Sequence, residues 1–80
     1  MTTSGPSGHS YGIVEIVGTS TQGLDDAIQS GIASANQRME HLDWFEVRQI
    51  RGQVQDGRVA WYQVTMGVGF RVDGAGAGQA

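Results

Sequence analysis

The side chains able to do distinctive chemistry are few. Trp44 and Trp61 each offer a broad π face that packs on another subunit or stacks on a planar ligand. The five cations are all arginine (Arg38, Arg48, Arg51, Arg58 and Arg71), and a guanidinium is the better planar, bidentate partner for phosphate. Cysteine is absent, which removes disulfides and thiolate metal sites. The two histidines, His9 and His41, have no ligand-like spacing around them, so no metal is expected. With a formal charge of −3 the chain lacks the clustered cations that nucleic-acid binding requires. No apolar run approaches the roughly 20 residues of a membrane span. The opening MTTSGPSGHS has neither the basic start nor the apolar core of a signal peptide, so a cytoplasmic location is expected.

Those residues need a scaffold, and 80 residues supply one small domain. A chain this short buries only about 60% of its unfolded surface, so its core is marginal without help. With disulfides and metal removed, oligomerisation is the remedy left. Residues 1–10 and the Gly/Ala tail 74–80 read as disordered, leaving a folded region over 11–73.

Tyr11 to Gly18 alternates, with Val14 and Ile16 on one side and Ile13, Glu15 and Val17 on the other, and predicts a strand. Ser20 is a natural N-cap for a helix starting at Thr21, with Asp25 and Asp26 where the helix dipole favours acids. Leu24, Ile28, Ile32, Ala35 and Met39 form its apolar stripe. Two long strands follow, 43–55 and 58–72, joined by Asp56-Gly57, a strong two-residue hairpin signal. The expected fold is α+β, a β-α-β-β protomer with a three-stranded antiparallel sheet and one helix.

With Asp56-Gly57 as the turn, Phe45 should face Val68, Val47 should face Met66 and Gln49 should face Val64. Tyr62, Val64, Met66, Val68, Phe70 and Val72 then line the face where the helix docks. The opposite face carries Trp44, Glu46, Arg48 and Ile50, facing Gly69, Gly67, Thr65 and Gln63, with the two glycines as a cleared floor. One helix cannot cover both faces. On the uncovered one, Trp44 packs on another subunit, stacks on a planar ligand, or is merely exposed. Trp44 and Gln63 share this face but stand six residues apart on the ladder, roughly 20 Å at ~3.3 Å per residue. A site using both must be built between subunits.

The segments IVEIVGTS (13–20), LDWFEV (42–47), IRG (50–52), DG (56–57) and YQVTMGVGFR (62–71) resemble the dodecins in order and spacing. The resemblance spans roughly residues 9–73. It implies a sheet wrapped partly around the helix and twelve copies forming a hollow homododecamer that binds flavin between two-fold-related subunits, as storage and photoprotective quenching rather than catalysis. By the same resemblance Trp44 stacks on the isoalloxazine and Gln63 bonds its polar edge, an edge that a carboxamide matches with one donor and one acceptor. Arg51 and Arg71 match arginines near the phosphate of FMN; as alternatives they are solvated charges or subunit salt bridges. Asp43 orders the ribityl chain or simply opens a strand.

Two positions depart from the family pattern. Trp61 stands where a polar residue is common, adding an aromatic wall or packing a subunit contact. Gly67 stands where Lys or Glu is usual. Both leave FMN and riboflavin as alternatives. Binding of another nucleotide-like cofactor such as coenzyme A, or a flavin-dependent enzyme using Glu46 or Asp43, are the competing functions.

Overall fold

A computed structural model describes residues 9–72. Its elements are β1 (Tyr11–Ser20), α1 (Leu24–Asn36), β2 (Leu42–Gln55) and β3 (Arg58–Arg71). The strands form one antiparallel sheet in the order β1-β3-β2, so the last strand is the central one. The expected β-α-β-β fold is therefore the observed one. Apart from His9 and Ser10, the segments expected to be disordered (1–10 and 74–80) lie outside the described residues.

The hairpin turn has the predicted chemistry. Asp56 and Gly57 both take positive φ, 54° and 76°, the pairing that a type I′ turn needs. The helix start differs from expectation: α1 begins at Leu24, with Gly23 in the N-cap position. Ser20 instead ends β1 and organises the turn leading into the helix. Its Oγ accepts the N–H groups of Gln22 at 2.8 Å and Gly23 at 3.4 Å, and donates to Asp26 Oδ2 at 2.7 Å. Residues 21–23 carry the chain from sheet to helix, so they cannot also form its first turn.

The helix sits on β1 and β3 through small residues. A Cβ on Gly18 would strike the carbonyl of Ala27, and one on Gly31 would approach Met66 Cε and the Gly18 backbone. The buried helix positions are accordingly Ala27, Gly31 and Ala35, with Ile28 and Ile32 packed beside them. This rotates the expected stripe: Leu24 is exposed, and Met39 lies beyond the end of the helix at Asn36. Val64, Met66 and Val68 form the sheet side of the core at 0–1% exposure. Burying each of these is worth roughly 1.5–3 kcal/mol, so the helix is held mainly from this face.

Beyond Leu42, which packs against the core, strand β2 lies largely outside the helix's cover. Phe45, Val47 and Ile50 project to the helix side yet stay exposed, as do Val54 and Val59 at the hairpin end. The register is also not one simple ladder. Bulges occur at Asp43 and Arg48 on β2 and at Ala60 on β3. The expected pairings of Phe45 with Val68 and Val47 with Met66 stand, but Ile50 rather than Gln49 faces Val64. The extra residue at Arg48 shifts the pairing by one, which turns the following side chains to the other face.

Candidate functional site

The bulge at Arg48 decides what stands on the uncovered face. Without it Ile50 would lie opposite Gln63; with it Arg51 does, so an apolar neighbour is replaced by a guanidinium. One step further Gln53 lies opposite Trp61, and the Trp61 Nε1–H donates to Gln53 Oε1 at 2.9 Å. The uncovered face thus carries a polar end at Thr19, Gln63, Arg51, Gln53 and Trp61.

At the other end Trp44 pairs with Gly69, and Ile13 flanks the glycine from β1. A Cβ built on Gly69 would run into the indole, with three atoms of the six-membered ring at nearly equal distances from it. That geometry puts the ring face down on the glycine, with its other face outward. Trp44 remains 43% exposed. Tyr11 meets the indole in an edge-to-face contact, ring centroids 5.3 Å apart and planes at 64°. This contact reaches diagonally across the central strand, over the position where Gly69 has no side chain.

Gly67, the second glycine of that face, lies beneath the guanidinium of Arg48, which stands 4.0 Å from both Glu15 and Glu46. The expected open floor is therefore filled by the chain's own side chains, the indole over one glycine and the guanidinium over the other. Both charges of each pair are well exposed, so these contacts contribute little stability.

Asp43 occupies a bulge, which frees it from the ladder. With His41, Leu42 and Arg71 it lines a mainly polar cleft of about 150 Å³. Arg71 Nε is buried there without a hydrogen-bond partner, and the Arg71 N–H donates to the His41 carbonyl at 3.1 Å. A buried guanidinium nitrogen lacking a partner suits an incoming acceptor better than a charge already paired.

The predicted residues thus fall into two groups, Trp44, Asp43 and Arg71 at one end of β3 and Gln63 with Arg51 at the other. Gly69 and Gln63 are six residues apart on β3, and one small ring cannot span that distance within one protomer. Sequence reasoning missed Tyr11 and His41. Tyr11 reaches Trp44 only because β3 lies between β1 and β2, an order that alternation along the chain does not give, and His41 depends on its positive φ of 64°, for which no side-chain pattern gives a signal.

A small α+β chain with one sheet face packed on its helix and the other bearing an indole, an amide opposite a guanidinium, and an arginine with one buried, unpartnered nitrogen defines a narrow class. The Dodecin family model matches residues 11–73. The dodecin of Thermus thermophilus is 50% identical over 66 residues, covering 82% of this chain and 96% of that protein. The solved dodecin from Streptomyces davaonensis superposes with a TM-score of 0.78 at 55% identity, covering 84% of this chain and 98% of its own. A tryptophan-to-phenylalanine variant of the T. thermophilus dodecin matches with a TM-score of 0.77 at 49% identity, covering 81% of this chain and 97% of that one. Two arginine-to-alanine variants of the same protein match similarly, at TM-scores of 0.78 and 0.77. The chain belongs to the dodecin family.

Proposed function

We propose that this protein binds a flavin, FMN or riboflavin, between copies of itself and stores it with its excited state quenched, without catalysing a reaction. The observation that carries the reading is the Trp44 indole, laid flat on Gly69 with its second face outward. An electron-poor isoalloxazine is a favourable stacking partner for that face, worth ~1–3 kcal/mol by analogy with base–aromatic contacts. When a flavin there is excited by light, the indole gives up an electron and takes it back, and the energy is lost as heat.

The remaining residues suit the same ligand. Gln63 offers one donor and one acceptor to the mixed pyrimidine edge, with Arg51 directly opposite it on the ladder. The part-buried guanidinium of Arg71 suits a phosphate, and Asp43 beside it suits ribityl hydroxyls. The separation of Trp44 from Gln63 requires two copies for one ring. In the three T. thermophilus variants, the substituted tryptophan and the first substituted arginine stand seven positions apart, and the two arginines twenty positions apart. Trp44, Arg51 and Arg71 have that same spacing.

The exposed apolar row of β2 needs cover, and a closed shell of twelve copies supplies it. Native mass spectrometry should find about 100 kDa for twelve chains of 8.5 kDa. A monomer or dimer at micromolar concentration contradicts the shell. Mass analysis of the ligand that copurifies, together with loss of its free-flavin emission in the intact protein, tests the binding reading. A colourless protein that leaves added FMN fully emissive contradicts it.

A further inference from the structure

Of the other five Trp, Tyr and Phe rings, the one in ring contact with Trp44 among the described residues is Tyr11, at 5.3 Å and 64°. Trp61 stands eight residues away along β3 and holds its N–H on Gln53. Tyr62 is on the opposite, helix-facing side of the sheet. Met66, which is also oxidisable, is fully buried on that other side. Tyr11 is thus the oxidisable side chain in contact with the indole on the ligand-accessible face.

We propose that Tyr11 is a secondary electron donor to Trp44. It refills the indole whenever the electron Trp44 has given up is not returned. The inference rests on the reading of Trp44 as the stacking donor and extends it to the fate of the oxidised ring. Oxidised Trp44 is an indole radical cation, which loses its N–H proton to water. Tyr11 then passes one electron to the indole, its phenolic O–H releases a proton to solvent, and the indole nitrogen regains a proton. Tyr11 ends as a neutral phenoxyl radical and Trp44 as an intact indole. At neutral pH the phenoxyl is the lower in energy of the two radicals, because the phenol loses its proton together with the electron. Ring contact makes the transfer short-range.

The arrangement explains why the contact matters on this face. An indolyl radical that lingers reacts irreversibly, and the ring so lost is the stacking surface itself. Moving the radical one ring away keeps the stacking surface chemically whole. Gly69 permits the contact, since any side chain there would fill the path between β1 and β2 over the central strand.

The test needs no flavin, so its outcome is independent of whether the flavin reading holds. Azide radicals generated by pulse radiolysis oxidise indoles in preference to phenols. In a Trp61→Phe background Trp44 is the remaining indole. Its radical absorbance should decay with a first-order component, independent of protein concentration, matched by growth of the phenoxyl signal. Tyr11→Phe keeps an aromatic ring in the contact but removes the O–H, and should abolish that component while Trp44 fluorescence and assembly stay as in the parent. Tyr62→Phe should leave the component intact. Identical decay in the parent and in Tyr11→Phe overturns the proposal, as does a component that disappears with Tyr62→Phe instead. Steady blue light on the flavin-loaded protein gives a second readout: Trp44 should be lost to oxidation faster in Tyr11→Phe than in the parent.

Discussion

The two faces of strand β3 are built on opposite rules. Toward the helix, Val64, Met66 and Val68 fill space and are 0–1% exposed. Away from it, Gly67 and Gly69 leave space, and side chains from β2 lie down in it: Arg48 over one glycine, Trp44 over the other. One face gains stability from volume, the other gains a presented surface from missing volume. A glycine that looks like a weakness in a central strand is here the seat of an aromatic ring.

The contrast predicts effects of different kinds on the two faces. The largest effect on stability belongs to the packed face. Met66→Ala should cost roughly 2–5 kcal/mol through lost burial and the cavity left behind. Chemical denaturation at matched protein concentration reads this. A loss below about 1 kcal/mol would mean that the helix does not close over this side chain.

On the presented face the corresponding change is Gly69→Ala. The added methyl group meets the ring face of Trp44, so the indole must lift or turn. Flavin binding should weaken by ~1–3 kcal/mol, the size of a stacking contact. Calorimetric titration measures it, and an unchanged affinity would separate the stacking surface from its glycine seat.

Arg71→Ala tests the end of the face where the buried Nε lacks a partner. It should weaken FMN more than riboflavin by ~1–2 kcal/mol, the scale of a charge-assisted hydrogen bond. Equal losses for the two ligands would assign the arginine to assembly or ring binding. The smallest effect is expected at Gly67→Ala. It displaces the Arg48 guanidinium from between Glu15 and Glu46, exposed pairs worth about 0–1 kcal/mol. Thermal unfolding should hardly move, and a large drop would mean that this cluster braces an interface.

Much of this was legible in the chain because local signals agreed. Asp56-Gly57 announced the hairpin, alternation announced the faces, and five short segments announced the family. What escaped the sequence escaped for definite reasons. Bulges carry no residue-type signature strong enough to read, so the shift at Arg48 that puts Arg51 rather than Ile50 beside Gln63 needed coordinates. The helix start moved because Ser20 serves the turn before the helix, and a serine with two N–H acceptances in view cannot be assigned to one of them from spacing alone. The helix stripe rotated because Gly18 and Gly31 allow backbone approach, which a search for large apolar residues overlooks. Tyr11 against Trp44 is a diagonal contact between edge strands, visible only once β3 is known to lie between them.

The central claim is that Trp44, and not the other indole, meets and quenches the ligand. Titrating FMN into Trp44→Phe and Trp61→Phe while following flavin emission tests it most directly. Phenylalanine keeps part of the stacking but is a poorer electron donor than indole. Bound flavin should therefore be markedly brighter in Trp44→Phe, whereas Trp61→Phe should quench as the parent does, its indole N–H being engaged by Gln53 of its own sheet. Emission restored by the Trp61 change while the Trp44 variant stays dark would contradict the account.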